Sequence, residues 1–194
     1  VESFNILAEE KDKVTARVME IIPARVGTYE RHIELDVIDG KVQCDTSKDV
    51  LKAAVFERHH ETGKIGYGFV KGFGIKEGAM AATVAHDAHN LLVVGTNDED
   101  MALAANTLVE CGGGMVVVRN GQVLGLVPLP IAGLMSDRPL EEMAEKVERL
   151  DKAWKEIGCD IVSPFMTMAL IPLACLPELR LTLSLIHISE PTRP

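Results

Sequence analysis

The chain has 194 residues, enough for one domain with its own core, and a composition that is 47% hydrophobic but only 4% aromatic fits a soluble α/β or α+β protein. A formal charge of −9 argues against nucleic acid or an anionic membrane surface as partner, because both need a basic face to neutralise phosphate. Cys44, Cys111, Cys159 and Cys175 form no C-x-x-C pair, so they read as reduced core thiols of a cytoplasmic protein rather than a zinc knuckle or a dithiol redox site.

The chain opens on Val1 and shows no signal peptide, which raises the expectation of a piece of a longer polypeptide. Residues 14–22, "VTARVMEII", are rich in β-branched residues and stop at Pro23, as a strand would. "IELDVIDGKVQ" offers a hairpin around Asp39-Gly40, a pair that tolerates positive φ. "VLKAAVFER" and "IGYGFVKGF" form a second hairpin across "HHETGK", with Gly63 supplying the bend. "TVAH" and "LLVVG" make a third if "DAHN" connects them, and "MVVVRNGQVLGLV" carries Asn120-Gly121, the strongest short hairpin marker.

Two helices punctuate these pairs. Residues 98–111 place Met101, Ala104, Ala105 and Leu108 on one stripe, with Thr96, Asn97 or Asp98 as N-cap and Gly112–Gly114 as the stop. Residues 139–157 carry a longer stripe of Leu140, Met143, Ala144, Val147, Leu150, Trp154 and Ile157. Ser136 or Asp137 can cap this second helix, and Gly158 can end it. The apolar run "FMTMALIPLACL" at residues 165–176 is broken by Pro172 and is much shorter than the roughly 20 residues a bilayer requires, so it reads as buried core. Hairpins outnumber parallel crossovers, and the expected class is α+β: a mostly antiparallel sheet covered by two or more helices. Residues 1–182 are expected to form the domain. Residues 183–194, ending "LSLIHISEPTRP", continue none of its patterns and read as a non-native or disordered tail, so His187 enters no site.

Glycines 72, 74 and 78 in "KGFGIKEG" sit at no strand-to-helix transition, so bends explain them better than a dinucleotide loop. "ECGGGM" is likewise a helix stop. The stretch "TVAHDAHNLLVVGTND" is different, because it sets His86, Asp87, His89 and Asn90 around a turn. Residues three apart on a straight strand face opposite ways, so both imidazoles reach one centre only if the chain turns between them. Four roles fit. With Asp87, His86 and His89 could ligate a metal, although such a site needs three or four ligands and the remainder are not identified, or one imidazole could shuttle a proton while Asp87 fixes its tautomer. The four side chains could line a ligand cleft, or Asp87 and Asn90 could bond their own backbone in a local turn. His59 and His60, in another hairpin loop, either approach the same cleft as substrate-binding groups or are solvated loop residues.

The segments "ERHHETGKIGYGFVKGFGIKEGAMAATVAHDAHNLLVVGTNDEDMALAANTL", "GLVPLPIAGLMSD" and "PFMTMALIPLACLPELRLT" together resemble the carboxy-terminal domain of adenine deaminases of the amidohydrolase superfamily, from about residue 14 to residue 182. The resemblance implies a protein that hydrolyses adenine to hypoxanthine and ammonia with a divalent metal (manganese, iron or zinc) held in an upstream barrel of the same polypeptide. This chain contains no H-x-H, the pair that opens amidohydrolase metal centres, so no metal is expected on this chain alone and the isolated chain is expected to be inactive. His86, Asp87, His89 and Asn90 match the family's H-D-x-H-N motif. The resemblance leaves open whether that motif closes over adenine, supports the metal shell or is structural. The second hypothesis is a structural or oligomerisation module, in a possible homo-oligomer, that never touches substrate.

Overall fold

The computed structural model describes residues 2–8 and 12–183. Nine strands form one sheet: β1 (Lys13–Ile21), β2 (Thr28–Ile38), β3 (Lys41–Val42), β4 (Val50–Phe56), β5 (Ile65–Lys71), β6 (Ala79–Ala82), β7 (Leu91–Gly95), β8 (Gly114–Arg119) and β9 (Gln122–Pro128). Three helices accompany it, α1 (Asp98–Glu110), α2 (Leu140–Glu156) and α3 (Pro164–Leu170), with a 3-10 turn at Glu2–Phe4. The strand order is β3-β2-β1-β5-β4-β7-β6-β8-β9. Every pairing is antiparallel except β1 with β5, where Val18, Met19 and Glu20 run parallel to Phe69, Val70 and Lys71. The α+β class expected from the hairpins is the observed one.

Side chains alternate across a strand, and the central strands bury both faces. Leu51, Ala53 and Val55 of β4, Met80 and Ala82 of β6, and Leu92 and Val94 of β7 join α2 and α3 on one side. Ala54, Ala79, Ala81, Leu91 and Val93 meet Met101, Ala104 and Leu108 of α1 on the other. Of the four hairpins read from sequence, the two with a two-residue turn have the left-handed backbone such a connection needs, at Asp39 (φ 51) and Gly40 (φ 72) and at Asn120 (φ 51) and Gly121 (φ 73).

Asn97 caps α1, its side chain accepting from the Asp100 N–H at 2.8 Å. The buried Asp100 then accepts from the Asn120 and Gly121 N–H groups at 3.0 and 2.8 Å, tying the β8–β9 turn to the helix start.

Several expectations are corrected. "TVAH" is not a strand: pairing with β7 and β8 runs through Ala79–Ala82, and residues 83–90 form the connection. The run Ala-Met-Ala-Ala lacks β-branched residues, and its strand conformation comes from filling a slot between β7 and β8 under α1. Neither Ser136 nor Asp137 caps α2; the N-cap is Pro139, without a side-chain cap bond. The stripe of α2 is only half used, since Leu150, Ala153, Trp154 and Ile157 are buried whereas Leu140 is 80% and Val147 45% exposed. The apolar run at 165–176 contributes a helix, α3, that sequence periodicity did not reveal; Phe165, Met168, Ala169 and Ile171 are buried, but Met166 faces out. Of the proposed tail, residues 184–194, including His187, lie outside the described residues.

Candidate functional site

The connection between β6 and β7 carries His86, Asp87, His89 and Asn90. Local hydrogen bonds shape it. The His89 N–H donates to the Ala85 carbonyl at 2.7 Å, and the Ala85 N–H donates to His89 Nδ1 at 3.3 Å. Accepting at Nδ1 leaves the proton of neutral His89 on Nε2. His89 has φ 49, a left-handed conformation costing a residue with a Cβ about 1–2 kcal/mol, and such a residue persists where its surroundings over-determine it. His86 is pinned from below, its N–H donating to the Ala169 carbonyl of α3 at 2.9 Å. The two imidazoles meet edge to face with centroids 5.8 Å apart. His86 and His89 are half-buried, Asp87 is exposed and Asn90 is buried.

Burial, followed by the nearby His86 and Arg58, pushes the His89 pKa below the ordinary histidine value, with Asp87 opposing. The imidazole is therefore held neutral, with an Nε2–H donor.

The β4–β5 loop grips this connection from the side. Arg58 Nη1 donates to the His89 carbonyl at 3.0 Å, and the Arg58 N–H donates to Asn90 Oδ1 at 3.4 Å. His59 Nε2 donates to the Ala88 carbonyl at 2.6 Å. Glu57 organises the gripping loop in turn, accepting from the backbone N–H groups of Thr62, His59 and His60. The Thr62 N–H leads the donors that hold the Glu57 carboxyl down at about 2. Since this folded value is depressed, its stabilising effect is present above the ordinary carboxylate range and is lost as pH falls toward about 2. The exposed His60 ring lies 3.4 Å from Glu57 and edge-on to His59, with centroids 6.4 Å apart.

The structure thus brings His59 against the His86–Asn90 connection and leaves His60 at its margin. A cavity of about 190 Å³ adjoins it, lined by Asp87, Ala88 and Asn90 together with Val55, Pro172 and Thr182. Arg58 is a residue that site reasoning from sequence passed over, although it stands beside His59 in "ERHH". Nothing in its spacing marked it, because its partners are backbone carbonyls contributed by remote segments.

Among the described residues, no group of three or more His, Cys, Asp or Glu side chains is placed to hold a metal ion. Among the described residues, then, no third such ligand joins His86 and His89. The glycine-rich stretch cradles a carboxylate of the chain itself: the Gly72 and Gly74 N–H groups donate to Asp49 at 2.9 and 2.8 Å. All four cysteines are free thiols, and burial raises Cys44 and Cys159 to about 11, far from thiolate chemistry at neutral pH. No described helix is long and apolar enough to cross a membrane.

The model of the adenine deaminase C-terminal domain matches residues 25–184. The chain belongs to the adenine deaminase C-terminal domain family. It is 87% identical over 180 residues to an adenine deaminase of Clostridium botulinum (strain Loch Maree / Type A3), covering 93% of this chain and 30% of that protein. It is 62% identical over 172 residues to an adenine deaminase of Moorella thermoacetica, covering 89% of this chain and 29% of that protein. An adenine deaminase of Desulforamulus reducens is 44% identical over 185 residues, covering 95% and 32% respectively. The chain thus spans about 30% of the length of the curated relatives it matches. The H-D-x-H-N segment of this adenine deaminase domain lies within the matched region, on the gripped β6–β7 connection.

Proposed function

We propose that this domain is the carboxy-terminal part of a cytoplasmic enzyme that hydrolyses adenine to hypoxanthine and ammonia, and that its 86–90 loop faces the substrate. The observation carrying this reading is a polar loop held in one conformation with two half-buried imidazoles and an exposed carboxylate at its surface. The divalent metal (manganese, iron or zinc) belongs to the upstream barrel of the same polypeptide. When bound there it supplies an activated water; the described residues of this domain offer it no site. The loop itself offers what adenine recognition requires: an Nε2–H donor from His89 suits a ring nitrogen, and the Asp87 carboxylate suits the exocyclic amino group. A fixed loop spends little ordering entropy on binding.

Replacing His86, Asp87 or His89 by Ala in the full-length enzyme, with steady-state kinetics and thermal melting on the same samples, tests this. Turnover should fall with the melting midpoint nearly unchanged. Wild-type kinetics in all three variants would make the loop structural.

A second reading rests on the unused half of the α2 stripe, where Leu140 and Val147 are exposed, as are Ile131 (44%) and Met135 (57%) in the segment that precedes the helix. That face suits a contact between subunits of a homo-oligomer. Sedimentation of full-length L140E and V147E variants separates the two readings: dissociation with unchanged kinetics per protomer favours an assembly role for this domain.

A further inference from the structure

We propose that Arg58 is the positioning residue of the 86–90 loop, fixing the His89 imidazole by holding the His89 backbone. This rests on the reading of that loop as substrate-facing. The guanidinium joins three segments remote in sequence. Nη1 donates to the His89 carbonyl at 3.0 Å, while Nη1 and Nη2 both donate to the Ala132 carbonyl, at 3.2 and 3.1 Å. From the same residue, the backbone N–H reaches Asn90 Oδ1 at 3.4 Å. His89 is thereby held on both sides, by Arg58 through its carbonyl and by Ala85 through its N–H and Nδ1.

The seat of the guanidinium is built for it. A Cβ added at Gly133 would stand 2.6 Å from Nη2, 2.7 Å from Nη1 and 2.8 Å from Cζ of Arg58, so a side chain there would push the guanidinium out of this position. Thr83 Oγ1 donates to the Gly133 carbonyl at 2.6 Å and fixes this turn to the end of β6, the strand that leads into the histidine loop. The side-chain hydrogen bonds of Arg58 end on carbonyl oxygens, so what its fork supplies is geometry. A lysine at this position has one nitrogen and cannot span the His89 and Ala132 carbonyls with the same planar fork.

The test has two arms. In the first, the six histidines of this chain are labelled with nitrogen-15 and the imidazole nitrogens are followed by NMR at neutral pH. Wild-type His89 should show an unprotonated Nδ1 and a protonated Nε2. R58A should average the two tautomers, and R58K, which keeps the charge and the stem, should lie between. G133A, which leaves Arg58 in place but crowds its seat, should shift the same signals in the same direction. Unchanged His89 nitrogen shifts in both R58A and G133A overturn the inference, whatever the kinetics.

In the second arm, full-length enzyme carrying R58A, H89A and both is assayed. R58A should lower kcat/KM at least tenfold, and adding R58A to H89A should produce little further loss, because the arginine acts through the histidine. Full additivity of the two losses overturns the inference. A shifted His89 spectrum with wild-type kinetics in both single variants upholds the positioning and overturns the substrate-facing reading instead.

Discussion

The N–H of Ala85 points at Nδ1 of His89 across 3.3 Å, while the N–H of His89 returns to the Ala85 carbonyl at 2.7 Å. A protonated ring would turn Nδ1 from acceptor to donor and set two N–H groups against each other. Burial disfavours that protonation further, and the neighbouring His86, Arg58 and His59 reinforce it against Asp87.

The pH dependence follows from the direction of that shift. With a folded pKa below the unfolded one, the unfolded chain takes up more protons as pH falls. Stability is therefore undiminished above the unfolded value of about 6.5 and declines as pH drops through it toward the folded value. Melting midpoints measured between about pH 8 and pH 5 should fall more steeply for wild type than for H89Q. Parallel curves would contradict the assignment.

Asp87 and Asn90 should separate function from stability. Asp87 is exposed, so D87A should stay within about 0.5 kcal/mol of wild-type stability, while lowering kcat/KM of the full-length enzyme about tenfold for each 1.4 kcal/mol of lost transition-state binding. Asn90 is buried and accepts from the Arg58 N–H, so N90A should cost about 1–2 kcal/mol by leaving that donor unpaired. Calorimetry alongside kinetics checks both.

Lys52 and Asp98 form the most buried ion pair of the described residues, with Nζ 2.6 Å from Oδ1 and side-chain exposures of 6% and 17%. Removing one partner strands the other charge, and K52M should cost about 3 kcal/mol, somewhat softened because Asp98 sits in the first turn of α1. The double variant K52M/D98A should recover most of that loss. Denaturant titration of the three variants gives the coupling, and strict additivity would contradict it.

Gly133 has φ +74 and no room for a methyl group beside Arg58. G133A should destabilise the chain by about 1 kcal/mol or more, which at this chain length lowers the melting midpoint by roughly 2–4 °C per kcal/mol.

Local chemistry was legible in the sequence. Asn120-Gly121 and Asp39-Gly40 announced their hairpins because few other residue pairs accept positive φ twice in succession. Thr96, Asn97 and Asp98 announced the start of α1, because side chains of these types can satisfy a free helix N–H, and in the fold Asn97 takes that place. The acidic charge and the unpaired cysteines narrowed the function, and the family resemblance carried by three long segments, from ERHHETG to PELRLT, is the one the comparisons show.

Tertiary structure decided the rest. Ala79–Ala82 is a strand only because β7 and β8 flank it, and α3 is apolar around most of its surface, so no period marked it. The stripe on α2 ran the helix's full length in sequence, yet the sheet covers only its second half. Above all, Arg58 reaches carbonyls supplied by residues 89 and 132. Every residue has a backbone carbonyl, so nothing in the sequence distinguishes the one an arginine will hold. Only the folded sheet, by setting the ends of β4 and β6 on either side of the start of β7, determines which carbonyls lie within reach.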